Sequence, residues 1–225
     1  FTSKTKEYLN KFINIEKNFN SDLIEIHNRP SYIQYLKTKI FSKFILYFHN
    51  DPLSIKGSIT RNERLWLLDN CENIIVISEW IKNQFINDLN LNNDTILNKI
   101  LIIPHSIEKT KNINLIKKKE KKIIYVGRLN YQKGYDLFGE AIIKILKEFK
   151  DWKALVIGDE PRQKFFFKYP SLKLLGFLNH DKVINLFTKS SIAVVPSRWE
   201  EPLGRTGFEA SSRGCAVIIS NRGGL

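Results

Sequence analysis

The sequence predicts an α/β protein made of two doubly wound, parallel-sheet domains. Three observations predict it. Short apolar runs recur along the whole chain, each ended by a polar or glycine-bearing turn, as buried parallel strands require. Helix-like stretches separate these runs, at the spacing of parallel strands joined by crossing helices. One polar, Lys-rich stretch, 108–120, breaks the alternation just before Lys121-Lys122. It reads as a linker between an N-terminal domain, 1–107, and a C-terminal domain, 121–225.

In the first domain the apolar runs place strands at 23–27, 44–49, 74–78 and 100–103. Helices are expected near 31–41, 58–70 and 79–90. Ser78 is placed to cap the last of these, with Glu79 in its first turn. In the second domain strands are expected at 122–126, 153–158, 172–177, 192–196 and 216–220. The helices between them fall near 134–149, 180–190 and 205–213, with Asn179 or Asp181 as the cap of the second.

Composition narrows the function classes. A chain of 225 residues suffices for one large domain or two small ones. The formal net charge of +13 is spread over both halves, which gives a generally basic surface and not a basic tail. Anionic partners follow: a nucleotide diphosphate, an anionic membrane face, or nucleic acid. Nucleic acid is disfavoured, because the lysines are dispersed and no nucleic-acid-binding motif is present. No apolar run approaches the roughly 18 residues of a membrane span. Cys71 and Cys215 belong to no metal or redox spacing, so both are expected to be reduced and buried.

The chemistry concentrates in residues 196–209, Pro-Ser-Arg-Trp-Glu-Glu-Pro-Leu-Gly-Arg-Thr-Gly-Phe-Glu. A strand leads in and a helix leads out. Gly204, Arg205 and Thr206 stand at the helix start, whose N–H groups and dipole suit a phosphate. Pro202 biases Glu201 away from helical geometry, so Glu201 belongs to the loop and Glu209 to the helix. One carboxylate can then face a sugar ring and the other ribose hydroxyls. A Glu209 enclosed against an arginine would be a structural carboxylate instead. Residues 122–134 add a second loop: a strand, Gly127, then Arg128 and Lys133. Two cations at a strand's carboxyl end suit a diphosphate clamp, although either alone is equally an ordinary solvated loop residue.

Together these segments resemble the retaining nucleotide-sugar glycosyltransferases of glycosyltransferase family 4. The resemblance is carried by Gly127-Arg128 with Lys133-Gly134, Val156-Ile157-Gly158-Asp159, Leu175-Gly176-Phe177, Pro196-Ser197 with Glu200-Glu201-Pro202 and Gly204, Glu209-Ala210, and Gly223-Gly224. The first half matches more loosely, through Ile26-His27-Asn28, Phe48-His49-Asn50-Asp51, Val76-Ile77-Ser78-Glu79 and Ile103-Pro104. The resemblance implies the GT-B fold, with two Rossmann-like domains facing a cleft. The chain has no methionine and stops after Gly223-Gly224, so it is expected to be the middle of a longer enzyme, both domains incomplete.

The resemblance also implies roles. Arg128 and Lys133 would stabilise the leaving diphosphate, with Gly127 and the Gly204-Arg205-Thr206 backbone beside it. Glu201 would hold the transferred sugar, Glu209 the ribose, and His49 would contact substrate from the acceptor side. Reading His49 from its own surroundings leaves a turn histidine bonded to Asp51 equally open, and His27 stands at a similar strand end. Transfer would retain anomeric configuration by front-face displacement, with no protein nucleophile. No histidine pair has metal spacing and no Asp-x-Asp motif occurs, so no metal or other cofactor is expected. The expected partners are a nucleotide sugar, a carbohydrate or lipid-linked acceptor, and an anionic membrane surface. The expected place is the cytoplasm or the inner face of the cell membrane, in cell-envelope polysaccharide or lipopolysaccharide synthesis. The alternatives are a non-catalytic nucleotide-binding fragment and a basic nucleic-acid-binding protein.

Overall fold

A computed structural model of the chain describes residues 2–91, 94–108 and 119–225. It divides into two compact units, one ending at Pro104 and the other starting at His105. Most of the expected linker, residues 109–118, lies outside the described residues. Its last residue, Glu120, already belongs to a strand.

The N-terminal unit carries a four-stranded parallel sheet in the order β1 (Leu23–His27), β2 (Lys43–Phe48), β3 (Asn73–Val76), β4 (Ile100–Ile102). Its helices are α1 (Ser3–Phe19), α2 (Pro30–Leu36), α3 (Arg61–Asn70), α4 (Glu79–Ile86) and α5 (Asp94–Leu97). Phe44, Leu46 and Phe48 alternate along β2 and are fully buried, as a central strand demands. Ser78 caps α4 as expected, accepting from the Ile81 N–H, and Glu79 opens the helix. Two expected helices prove shorter. α2 stops at Leu36, and α4 stops at Ile86, ahead of Asp88 and Asn90, which both take positive φ. α1 was not foreseen: only Leu9, Ile13 and Glu16 of its residues are buried, a stripe too thin to stand out among its lysines.

The C-terminal unit carries a five-stranded parallel sheet. It is built of β5 (Glu120–Val126), β6 (Lys153–Ile157), β7 (Leu172–Leu174), β8 (Ser190–Val195) and β9 (Ala216–Ile219), in the order β7-β6-β5-β8-β9. Its helices are α6 (Tyr135–Glu148), α7 (His180–Lys189) and α8 (Arg205–Ser212). Alternate residues of β5 serve two cores. Ile123 and Tyr125 pack with Phe138, Ile142 and Leu146 of α6. Ile124 packs with Val183 and Phe187 of α7 and Ala210 of α8. The strand order reverses at β5, with β6 on one side and β8 on the other. In sheets of this kind ligands bind beyond the carboxyl ends of the strands at such a reversal, here β5 and β8.

Asn179 is the cap of α7, its side chain accepting from the Lys182 N–H. Lys119 does structural work at the edge of the Lys-rich stretch. Its ammonium donates to the carbonyls of Phe187 and Arg213 at 2.8 and 2.6 Å, at the carboxyl ends of α7 and α8. Cys71 and Cys215 are free and buried, as expected. Burial pushes the Cys71 thiol up to about 12.

Gly134 marks where the two site loops touch. Its φ is +66°, and a Cβ there would stand 1.9 Å from the Pro196 carbonyl oxygen. Gly176 has a similar φ of +69° but open space around it. Gly134→Ala is therefore expected to lower the melting temperature well beyond Gly176→Ala. The latter should lose only the roughly 1 kcal/mol of a left-handed alanine. Equal losses in thermal denaturation would mean that the loops do not meet at Gly134.

Candidate active site

The loops that follow β5 and β8 carry most of the predicted side chains. The Tyr125 hydroxyl, on β5, reaches the carbonyl oxygens of Arg128 at 2.8 Å and Lys133 at 3.3 Å, bracing the loop from beneath. Asn130 Oδ1 accepts from the Lys133 N–H at 2.9 Å. The loop then turns at Gly134 into α6.

Glu201 sits in the opposing loop and is 8% exposed. Lys133 Nζ donates to its Oε1 at 2.5 Å, and Ser197 Oγ donates to the same oxygen at 2.6 Å. A carboxylate this buried requires a charged partner or a lowered charge. Lys133 supplies the partner from 68 residues away. The Glu201 backbone is held as firmly: Gly223 bridges to it, and the Gly224 N–H donates to its carbonyl at 2.6 Å. A Cβ on Gly223, at φ +61°, would stand 2.4 Å from that carbonyl oxygen.

Glu201 lies on the loop and Glu209 on α8, as the sequence predicts. Gly204 precedes α8 with φ +71°, so Arg205 and Thr206 take its first two positions, whose N–H groups have no acceptor within the helix. Glu209 Oε1 receives Arg205 Nη2 at 3.2 Å and lies 3.3 Å from His180 Nε2. Glu209 thus meets an arginine, as a structural carboxylate would. The arginine side chain is 55% exposed but the Glu209 side chain only 13%, so the carboxylate is largely enclosed while its partner faces solvent. His180, 29 residues away in sequence, is a neighbour of Glu209 that sequence reasoning missed.

Gly127 and Arg128 line a separate recess of about 200 Å³ with Gly158, Asp159 and Phe177. The Arg128 side chain is exposed and enters no ion pair among the described residues. A larger groove of about 460 Å³ lies between α6 and strands β8 and β9. It is lined by apolar side chains such as Leu137, Ile145 and Ile218, and offers nothing to a phosphate.

One further contact ties the two loops together. Arg198 and Asp136 form a two-pronged ion pair at 2.6 and 2.7 Å. The guanidinium carbon also lies 3.9 Å over the Tyr131 ring. The hydrogen bonds from Arg198 hold the Asp136 carboxyl below its usual value, outweighing burial.

His49 belongs to the N-terminal unit, just past β2. The Asp51 carboxylate accepts from the Leu53 N–H at 2.9 Å. His49 Nε2 lies 2.6 Å from His27 Nδ1, and His27 Nε2 lies 3.0 Å from Glu25 Oε1. The Tyr47 ring stacks on His49 with centroids 4.5 Å apart. Parallel pairing of β1 with β2 sets His27 opposite Tyr47 and so brings the two histidines to one sheet edge.

Residues 106–225 match the family described as glycosyl transferases group 1. Over 231 aligned residues the chain is 28% identical to a putative glycosyltransferase, YtcC, of Bacillus subtilis, covering 90% of this chain and 56% of that protein. It is 26% identical to spore coat protein SA of the same organism, over 90% of this chain and 60% of the relative. The chain thus spans little more than half the length of these curated relatives. Among solved structures, that of Anabaena Alr3699/HepE in complex with UDP-glucose superposes with a TM-score of 0.70 at 17% identity, over 96% of this chain and 64% of the other. That likeness shows the fold, which is of the GT-B type.

The Asp136 pair has a defined pH signature. A carboxyl held low in the folded state contributes stability that is full above the ordinary aspartate value and is lost as pH falls through the folded value. Asp136→Asn should therefore melt below the wild type at neutral pH. The gap should narrow only as pH drops below about 4. A gap that is constant from neutral to acid pH, measured by thermal denaturation, would show that Asp136 carries no charge in the pair.

Proposed function

The chain belongs to the group 1 glycosyl transferases, and from that membership we propose that it takes part in moving a sugar from a nucleotide-diphosphate donor to an acceptor. The observation that carries the site assignment is the Lys133–Glu201–Ser197 node on the loops after β5 and β8, where the strand order reverses. A cation and a carboxylate held in mutual contact offer a donor two complementary handles. The Lys133 ammonium exchanges Glu201 for a phosphate oxygen, and the released carboxylate accepts sugar hydroxyls. Arg128, exposed at the other end of the same loop, adds a second positive charge. The first-turn N–H groups of α8 add a third source of donors.

The chemistry asks the chain to stabilise charge as the diphosphate leaves. Removing one fixed donor from such a site typically costs about 3 kcal/mol of barrier. In this reading the leaving phosphate oxygen takes the acceptor's proton, the sugar keeps its anomeric configuration, and no side chain acts as a nucleophile. This is the course of the retaining enzymes of glycosyltransferase family 4. The site's own cations meet the charge, so no metal is assigned a role. Glu209, on a helix away from the node, takes the ribose hydroxyls once the donor displaces its exposed Arg205 contact.

UDP-glucose is the donor to test first, because the superposing HepE structure holds it. His49, at the carboxyl end of β2, contacts substrate from the N-terminal unit. The acceptor is a carbohydrate or lipid-linked sugar of the cell envelope. A spore coat relative and the basic surface support that reading. The enzyme works in the cytoplasm, touching the anionic inner face of the membrane.

Two substitutions in the full-length enzyme separate the roles. Glu209→Gln should weaken binding of bare UDP by about 10- to 100-fold, the worth of a hydroxyl–carboxylate bond. Glu201→Gln should leave bare UDP affinity unchanged or improve it, because Lys133 is freed, yet cut glucose transfer by more than about 100-fold. Titration calorimetry with UDP and a turnover assay read both. Equal losses of UDP affinity in the two variants would end this division of labour.

A further inference from the structure

Lys133 can serve two partners only if its backbone stays fixed while its side chain moves. Asn130 and Tyr125 hold that backbone directly, and further contacts fasten the residues on either side of it. Arg198 is the hub. Its two terminal nitrogens meet the two Asp136 oxygens at 2.6 and 2.7 Å, and Nη1 also donates to the Tyr131 carbonyl at 2.9 Å. Its guanidinium covers the Tyr131 ring. The backbone N–H groups of Arg198 and Trp199 both donate to the Gln132 carbonyl, at 2.9 and 3.0 Å. Residues 131, 132 and 136, on either side of Lys133, are thereby fastened to residues 198 and 199, three and two positions before Glu201.

The pair is partly buried, with Arg198 27% and Asp136 18% exposed. Forked, partly buried arginine–carboxylate pairs hold geometry better than single-point surface pairs do. Neither residue's contacts include Glu201 or Lys133 side-chain atoms, so the pair acts on the node through the loop backbone.

We propose that Arg198 and Asp136 are positioning residues for the transfer reaction, clasping the loop after β5 onto the loop after β8 so that the Lys133 ammonium can pass between Glu201 and the donor diphosphate without movement of its backbone. The proposal rests on the assignment of Lys133 to the diphosphate. It predicts a loss that appears in turnover more than in donor binding, because the clasp sets where charge is met as the bond breaks. It also predicts that the loss disappears when Lys133 is absent.

The test is a double-mutant cycle on kcat in the full-length enzyme with UDP-glucose. Arg198→Ala should lower kcat by about 10-fold or more with less than about a 3-fold change in donor KM. In the Lys133→Ala background the same change should cost less than about 2-fold, since its target is gone. Arg198→Lys keeps the charge but not the fork, and should fall nearly as far as Arg198→Ala. Thermal denaturation checks that each variant folds, and Asp136→Asn takes the place of any that does not. Additive losses in the cycle, or full activity in Arg198→Ala, would make the clasp merely structural and overturn the inference. If Lys133→Ala itself costs nothing, or the wild type transfers no sugar, the proposed function falls and takes the inference with it.

Discussion

Glu201 is a carboxylate withdrawn from water, and its oxygen Oε1 is held by two groups at once, Lys133 and Ser197. A buried charge of this kind persists only with a partner close at hand. The ammonium partner arrives on the loop after β5, while Glu201 stands on the loop after β8. The two loops must therefore meet, and the strand order makes them neighbours because β5 and β8 pair directly. Other features follow from that meeting. Gly134 has no side chain because the Pro196 carbonyl occupies its space. Gly223 has none because the Glu201 backbone lies against it. Arg198 and Asp136 fasten the same two loops further out.

Much of this was legible in the sequence, and the reason is local. Each of the nine strands described was foreseen, because a buried parallel strand announces itself as a short apolar run. Glu201 on a loop and Glu209 on a helix followed from Pro202 and from the glycine before Arg205. What could not be read was partnership across distance. Lys133 and Glu201 were both singled out, yet nothing in a linear sequence says that one rests on the other. His180 near Glu209 and Arg198 on Asp136 were hidden for the same reason. α1 escaped because its buried stripe is narrow and its remaining positions are polar or exposed.

The N-terminal unit shows the same limit in its histidines. His27 and His49 each end an apolar run, so each was singled out alone, and a local bond from His49 to Asp51 stood open. Parallel register set them side by side, with Glu25 behind His27 and Tyr47 stacked against both rings. The sheet register brings the two rings together, which ties their geometry to the fold of the whole unit.

Donor binding in this site requires Lys133 to change partners. The most direct measurement is a crystal structure of the full-length protein with a bound nucleoside diphosphate. The account predicts the Lys133 ammonium within hydrogen-bonding distance of a phosphate oxygen, parted from Glu201, with Asp136 and Arg198 still paired and Glu209 at the ribose. A diphosphate bound elsewhere, with Lys133 still seated on Glu201, would contradict it.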